Sequence, residues 1–410
     1  MYSRTIGLAA RAEGDSGPSV GLVLHDFSTG GTERVAIRLA NQWAAMGRRV
    51  TLICGSAEGP QRALVSPQVT VLEPRPAIPR GPGSRRRLGQ AVADAFAASA
   101  PDVLFVPGNF HWPTIAPFLA RFGPKAPPVV AQISSPLRRL DRGPLRQALF
   151  DARLRRTMRH VAAAVALSDE GAREADGVLG RRITTVLPLP ALAAGLPPPC
   201  PLPPGGQTIL AAGRLAPQKD FDLALRAFAL LPQRTARLVI LGEGPLRAEL
   251  ARTARRLGVA DRVEMPGFVP DIRPWLDRAR VFLLSSRWEG YGAVVIEALA
   301  AGRPVVSTDC TPATHELIAR TGCGAVTPVG DAQALANALG AELAAPAPDV
   351  AALAAAVDGY RIEAIAQAYL AVFDRVATAP AGEGLARLMA LGTRPRLAVR
   401  SPEPVPLIPA

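Results

Sequence analysis

Short, almost wholly apolar runs recur along this chain and alternate with longer segments of helical period. The first run covers residues 20–27, and the segment after it, residues 32–47, has apolar side chains spaced for one face of a helix. Strands buried on both faces are continuously apolar, whereas amphipathic helices repeat every 3.6 residues. Strand, helix and strand in this order form a right-handed βαβ unit. The pattern therefore predicts a parallel sheet covered by helices.

The alternation continues in two series of predicted strands. The first series contains residues 49–55, 102–108, 128–134, 161–168 and 183–189. The second series contains residues 208–215, 236–244, 262–269, 280–286 and 303–309. Between the two, prolines are too frequent for a helix or a central strand to continue. The predicted fold class is therefore α/β, with two doubly wound parallel sheets.

The length of the chain also favours two domains, because 410 residues exceed what one hydrophobic core usually supports. We predict an N-terminal domain over residues 1–190, a proline-rich linker over 191–206 and a C-terminal domain over 207–357. A further helix is predicted over residues 358–378. The Gly- and Pro-rich remainder, residues 379–410, is predicted to be disordered.

Charge is distributed unevenly between the two halves. The net charge of +13 consists of +11 in residues 1–204 and +2 in residues 205–410. A basic N-terminal half is typical of a partner that carries negative charge, and nucleic acid, an anionic membrane and a phosphate-bearing acceptor all fit at this point. Solvated surface arginine is the alternative.

Several classes of protein are not indicated. The chain has no run of eighteen uncharged apolar residues, so no transmembrane helix is predicted. The first twenty residues lack the apolar stretch of a signal peptide, so we expect a cytoplasmic protein. Four cysteines without a C-x2-C pair predict neither a zinc site nor a disulfide scaffold.

One carboxylate lies in an otherwise apolar helical segment that follows a predicted strand. Glu297 is surrounded in sequence by valine, isoleucine, alanine and leucine, and a Gly-rich loop with Glu289 precedes it. A buried carboxylate needs a polar partner. Because ligands bind beyond the carboxyl ends of parallel strands, ribose hydroxyls are one candidate partner and an arginine is the alternative.

A second loop of this kind carries Arg214 and Lys219. The chain has only two lysines, Lys125 and Lys219, and 45 arginines, so a lysine at this position is unusual. An ammonium beside a guanidinium suits a diphosphate, which needs a point charge and a bidentate donor. A surface lysine at the start of a helix is the alternative.

The N-terminal half offers weaker signals. Gly30 and Gly31 follow the first predicted strand and could let backbone approach a phosphate, or could simply form a tight turn. His111 follows a later strand and is a candidate for acceptor binding or acid–base catalysis, with a structural histidine as the alternative.

These segments resemble a known family. The chain is similar to the group 1 retaining glycosyltransferases of family four, which have the GT-B fold of two Rossmann-like domains facing across a cleft. The resemblance covers residues 20–377 and is carried by five segments: GGTERV, GRLAPQKDFDLALRAF, LGEGPLRAEL, PGFV and SSRWEGYGAVVIEALAAGRPVVSTD.

The resemblance implies roles for individual residues. Glu289 would contact the transferred sugar, Glu297 the ribose, and Arg214 and Lys219 the diphosphate, with His111 as an uncertain acceptor-side residue. Further donor-binding positions are implied at Gly30, Gly31, Phe268, Val269, Gly290, Tyr291, Gly292 and Ala293.

The predicted activity is metal-independent, retaining transfer of a sugar from a nucleotide-diphosphate sugar, without a cofactor. The predicted acceptor is a saccharide or lipid-linked molecule, the predicted setting is cell-surface polysaccharide or glycolipid synthesis, and no nucleic-acid partner is expected. Peripheral contact with an anionic membrane through the N-terminal domain is a further expectation. Two alternatives stay open: a nucleotide-sugar 2-epimerase of the same fold, and a catalytically silent scaffold subunit.

Overall fold

The structure is a computed structural model that describes residues 2–5, 17–99, 101–138 and 142–378. Both series of apolar runs form sheets with helices on their faces, so the predicted α/β class is confirmed. The tail that was predicted to be disordered, residues 379–410, lies outside the described residues.

The N-terminal sheet has eight strands. They are β1 (Tyr2–Thr5), β2 (Val20–Leu24), β3 (Val50–Cys54), β4 (Thr70–Pro74), β5 (Val103–Val106), β6 (Val129–Ile133), β7 (Ala163–Ala166) and β8 (Thr184–Val186). Their order is β1-β4-β3-β2-β5-β6-β7-β8, and only the edge strand β1 runs antiparallel to its neighbour. The order reverses between β2 and β5, which makes this the switch point of the N-terminal domain.

Six helices belong to this domain. They are α1 (Gly31–Ala45), α2 (Ser84–Ser99), α3 (Gly108–His111), α4 (Ile115–Phe122), α5 (Pro144–Met158) and α6 (Asp169–Leu179). Helix α1 begins at Gly31, one residue before the start that the apolar spacing predicts.

The C-terminal sheet has six parallel strands. They are β9 (Thr208–Ala212), β10 (Arg237–Leu241), β11 (Val263–Gly267), β12 (Val281–Leu284), β13 (Val305–Thr308) and β14 (Gly324–Thr327). Their order is β11-β10-β9-β12-β13-β14, so the switch point lies between β9 and β12. The helices are α7 (Phe221–Leu230), α8 (Arg247–Arg256), α9 (Arg273–Leu276), α10 (Ala293–Ala300), α11 (Pro312–Thr321), α12 (Ala332–Ala344), α13 (Val350–Ala355) and α14 (Ile362–Thr378).

The proline-rich segment between the sheets is held against the C-terminal domain by buried arginines. Arg303, which has no exposed surface, donates to the carbonyl of Cys200 at 2.5 Å. Arg273 donates to the carbonyl of Pro197 at 2.7 Å. Further along, Leu192 pairs with Arg361 in an isolated parallel bridge, so the two segments that connect the domains run side by side.

Helix α14 packs on the N-terminal domain. The ring of Phe373 lies 5.0 Å from that of the fully buried Trp43, and Tyr369 lies 5.8 Å from it. Asp374 also forms an ion pair with Arg48 at 2.7 Å. The chain thus begins and ends its described part in the same domain.

Candidate active site

The C-terminal switch point brings together two loops that are 70 residues apart in sequence. Lys219 ends a short 3₁₀ turn (Pro217–Lys219) after β9, and Glu289 lies in the loop after β12. Lys219 Nζ donates to Glu289 Oε1 at 2.6 Å, and Ser286 Oγ donates to the same oxygen at 2.6 Å. The two side chains are 17% and 9% exposed. An ion pair this sheltered is only partly screened by solvent.

Arg214 lies in the same loop as Lys219, close to the end of β9. Its side chain is exposed, and across the described residues no hydrogen bond or ion pair to it is found. A cation without a protein partner, next to a paired ammonium, leaves positive charge directed at this edge of the sheet.

The loop of Glu289 leads into helix α10, whose first turn has no side-chain cap. The residue before the helix, Gly292, has φ 81°, a left-handed conformation that favours glycine. The Val295 N–H donates to the Gly292 carbonyl at 2.9 Å, whereas the N–H of Ala293 stays available to an anion, as at phosphate-binding helix starts. Tyr291 fixes the loop by a 3.0 Å hydrogen bond between its hydroxyl and that of Tyr360.

Gly290 lies against the N-terminal domain. A Cβ at this position would lie 2.5 Å from the carbonyl oxygen of Ser134, which follows β6 of the N-terminal sheet. No side chain fits there. The carboxyl edges of the two sheets therefore face each other across a narrow cleft.

Glu297 has an arginine as its partner, which is the alternative that the sequence left open. Arg38, on α1 of the N-terminal domain, donates to Glu297 Oε1 at 2.6 Å and also to the carbonyl of Ala191. One turn earlier on α1, Arg34 donates to the carbonyl of Pro270 at 3.1 Å. The roles implied by the sequence require Glu297, Arg214 and Lys219 to hold one donor together. In the structure Glu297 and Lys219 have separate ionic partners, which are Arg38 and Glu289.

A cavity between the domains extends from this arginine pair. It is lined by residues of both domains, including Arg34, Arg38, Ala191, Asp271 and Glu297. Phe268 and Val269, expected near a nucleotide base, are half-buried at the carboxyl end of β11 and directly precede Pro270. Both residues thus lie at the carboxyl edge of the C-terminal sheet, as do the loops of Lys219 and Glu289.

On the N-terminal side, Gly30 and Gly31 form the start of α1. Gly30 is the N-cap and no side chain caps the helix. A Cβ at Gly31 would meet no atom within 4 Å, so this backbone opens onto the cleft.

His111 is fully buried, and backbone groups engage both of its ring nitrogens. Nε2 accepts the N–H of His25 at 3.1 Å, and Nδ1 donates to the carbonyl of Pro107 at 2.7 Å. Burial lowers the pKa of His111 from 6.5 to about 4. A neutral imidazole with both nitrogens hydrogen-bonded to backbone favours the structural alternative over a role in proton transfer.

An ionic cluster that the sequence did not reveal occupies the N-terminal switch point. Arg80 binds both carboxylate oxygens of Asp26, which follows β2, and donates to Glu33 Oε1 at 2.7 Å. Burial would raise the pKa of Asp26, but the His25 ring at 3.7 Å and hydrogen bonds from Arg80 and Ser28 together hold it well below its usual range. The position of Asp26 directly after a strand was the available signal.

The same arginine also stacks on an exposed aromatic ring. The guanidinium of Arg80 lies 4.6 Å from the centre of the Phe110 ring, and that of Arg85 lies 4.9 Å from it. Phe110 is among the few large apolar side chains left exposed in the described residues. A flat ring with flanking cations at the cleft edge offers a surface on which a sugar could lie.

In the residues that the structure describes, neither a metal site nor a membrane-spanning helix is found. No group of three or more His, Cys, Asp or Glu side chains is placed to hold a metal ion. Nor does any helix in these ranges have the length and apolar character to cross a bilayer.

Known families and proteins match both halves of the chain. The family "Glycosyl transferases group 1" matches residues 206–345, and "Glycosyl transferase 4-like domain" matches residues 30–191. The lipopolysaccharide core biosynthesis mannosyltransferase LpcC of Rhizobium leguminosarum bv. viciae is 36% identical over 156 residues, which are 36% of this chain and 44% of LpcC. The lipopolysaccharide core biosynthesis glycosyltransferase LpsE of Rhizobium meliloti is 36% identical over 33% of this chain and 39% of LpsE. The match thus spans less than half the length of these curated relatives.

Solved structures match nearly the whole chain. Anabaena HepE in complex with UDP and glucose aligns with a TM-score of 0.64 at 19% identity, over 91% of this chain and 99% of that one. Sucrose-phosphate synthase from Thermosynechococcus elongatus aligns with a TM-score of 0.69 at 20% identity, over 87% of this chain and 99% of that one. At this identity the likeness shows the fold, which is the two-domain GT-B arrangement.

Proposed function

We propose a reaction for this chain, which belongs to the group 1 glycosyltransferases and has a family 4-like N-terminal domain. It transfers a sugar from a nucleotide-diphosphate sugar to an acceptor. The two Rhizobium relatives are named for lipopolysaccharide core synthesis, and cell-surface polysaccharide or glycolipid synthesis is the setting that we propose. The acceptor would be a saccharide or a lipid-linked saccharide. The basic N-terminal domain would then lie against an anionic membrane.

The pair of Lys219 and Glu289 at the C-terminal switch point is the observation that carries this proposal. Parallel α/β sheets bind their ligands at this point of the fold. Here the site offers an ammonium, the unpaired guanidinium of Arg214 and an uncapped helix start at Gly292. These three groups all favour negative charge, and a diphosphate is the anion that their chemical types suit.

In the proposed reaction, the donor diphosphate takes over Lys219 as a partner, and Glu289 turns to the hydroxyls of the sugar. The bond between the anomeric carbon and the phosphate oxygen breaks, and an acceptor oxygen bonds to the same face of that carbon. The acceptor proton passes to the departing phosphate. Lys219, Arg214 and the start of α10 stabilise the charge that develops on the leaving group, so we propose transfer with retention and without a metal ion.

Glu297 would exchange its arginine for the ribose in the same way. The carboxylate is held by Arg38 and lines the adjoining cavity together with Asp271, which follows Phe268 and Val269 closely in sequence. We assign the nucleoside to this cavity. Arg38, released from Glu297, would then be free to neutralise a nearby phosphate.

We place the acceptor at the opposite edge, against Phe110 and the Asp26–Arg80 pair. An aromatic face binds the apolar face of a sugar ring, and the ionised Asp26 can accept a hydrogen bond from a hydroxyl. This surface lies at the N-terminal switch point, which faces the donor loops across the cleft.

The test is incubation of the purified protein with a panel of nucleotide-diphosphate sugars, with slow release of free sugar followed by NMR. One donor should be hydrolysed, the released sugar should first appear with the anomeric configuration of the donor, and a chelator should leave the rate unchanged.

Other outcomes identify the alternatives. Conversion of a donor to its 2-epimer would indicate an epimerase, and the absence of binding to every nucleotide would indicate a scaffold subunit. Inverted product, or loss of activity with the chelator, would contradict the proposed mechanism.

A further inference from the structure

Helix α5 has an apolar strip on its outer face. Leu145 is 81% exposed and Leu149, one turn later, is 73% exposed, more than any other large apolar side chain of the described residues. Ala148 and Ala152 continue the strip. Exposed leucines next to each other indicate a surface that is covered by something else in use.

Cationic side chains surround this strip. Arg146, Arg153 and Arg156 are all exposed on the same side of α5, and no hydrogen bond or ion pair of their guanidinium groups is found among the described residues. The one acidic residue of the helix, Asp151, points away and binds Gln147 at 2.7 Å. The outer face of α5 therefore has an apolar strip with positive charge along one side and at its C-terminal end.

The opposite face of the helix attaches it to the domain. Leu154 and Met158 are buried in the core of the N-terminal sheet, so substitutions on the outer face need not disturb the packing. Along the chain, α5 follows the segment after β6 in which Ser134 meets Gly290.

We propose that the outer face of α5, formed by Leu145, Leu149, Arg146, Arg153 and Arg156, docks on an anionic lipid surface. A helix of this kind lies in the membrane interface, with its leucines among the acyl chains and its arginines at the phosphates. A second copy of this chain fits less well, since a symmetric contact would set this positive face against itself. The proposal rests on the membrane contact proposed above and names its site. Docking here would present a lipid-linked acceptor beside the cleft.

Vesicle co-sedimentation of the full chain tests this. The wild type should bind vesicles of phosphatidylcholine with phosphatidylglycerol and should not bind phosphatidylcholine alone. The double variant Leu145→Glu/Leu149→Glu should bind at least about tenfold more weakly, because it loses the inserted groups and adds negative charge. The triple variant Arg146→Gln/Arg153→Gln/Arg156→Gln should bind the anionic vesicles about a hundredfold more weakly, at roughly fivefold per charge. Its binding should also depend much less on salt.

Matched controls lie on the C-terminal domain. Leu230→Glu changes an exposed leucine, and Arg234→Gln/Arg252→Gln/Arg255→Gln removes the same charge from exposed positions, so both should bind vesicles as the wild type does. Thermal unfolding should be unchanged in all variants. Donor hydrolysis without vesicles should also be unchanged, which separates this proposal from the proposed reaction.

Three results would overturn the docking surface. These are no binding of the wild type to anionic vesicles, full binding by the leucine variant, and a fall in molecular mass in solution on the leucine substitutions. The last of these would assign the face to a second copy instead.

Discussion

The two switch points of this molecule are built on the same topology but hold their polar groups differently. At the C-terminal switch point Lys219 and Glu289 form an isolated pair, and Arg214 beside them is unpaired among the described residues. At the N-terminal switch point His111 is fully bonded and buried, and Asp26 is closed into a network with Arg80.

This difference separates the ion pair of Lys219 and Glu289, which can exchange partners, from the imidazole of His111, which cannot. A partly exposed ion pair can give up its partner to an anionic ligand at low cost, since the ligand replaces the lost charge. A buried histidine whose two nitrogens bind backbone can only lose bonds. We therefore expect substitutions at the first site to change activity, and substitutions at His111 to change stability.

Glu289→Ala should give the largest effect. It should lower kcat for transfer by about a thousandfold or more, because it removes a group that we place on the reacting sugar, while the melting temperature changes little. Steady-state kinetics and thermal unfolding of the variant measure both. Glu243→Ala, which removes an exposed carboxylate of the same domain, is the control and should keep full activity. A stable Glu289→Ala protein with normal kcat would contradict the role of the C-terminal switch point.

His111→Ala should show the opposite behaviour, with a loss of stability. At pH 7 the variant leaves the His25 N–H and the Pro107 carbonyl without their partner, which costs about 1–3 kcal/mol for each buried group. The measurement is the free energy of unfolding in urea, for wild type and variant.

The pH dependence sharpens this prediction. The pKa of His111 falls from 6.5 to about 4 on folding, so the unfolded chain binds a proton more readily between these values. The stability that the neutral imidazole provides is fully present above pH 6.5 and is lost as the pH falls towards 4. The difference between wild type and His111→Ala should shrink by about 3 kcal/mol over that range. A constant difference would show that His111 titrates normally.

Glu297→Gln should have a smaller effect, confined to donor binding. It should raise KM for the donor about tenfold, the usual range for a hydrogen bond to a charged group, and leave kcat nearly unchanged. If the variant is less stable but keeps the KM of the wild type, Glu297 serves only to join the domains through Arg38.

The sequence predicted most of the fold because buried strands leave a clear apolar signal. Eleven of the strands coincide with such runs, whereas β1, β4 and β14 were missed. β1 is a four-residue antiparallel edge strand, β4 ends in Glu73 and Pro74, and β14 starts at Gly324, so none of them has a long apolar run. The helix predicted over residues 358–378 begins four residues later, at Ile362, and ends at Thr378, because one face of that helix is apolar.

The site was only partly predictable, for a physical reason. Residues that act within one loop, such as Arg214 with Lys219, are visible as a local pattern. The contact of Arg38 with Glu297 joins positions 259 residues apart and exists only once both domains have folded. The same is true of His111, whose bond to His25 spans 86 residues. Sequence alone therefore left open the roles of Glu297 and His111.

Calorimetric titration of nucleoside diphosphates into wild type, Lys219→Ala and Lys125→Ala tests the central claim most directly. Lys125 is the only other lysine and is exposed on the N-terminal domain, so it provides a matched control. We expect one diphosphate to bind the wild type and Lys125→Ala equally, and to bind Lys219→Ala at least about tenfold more weakly. Equal affinity for all three proteins would show that the C-terminal switch point does not hold the diphosphate.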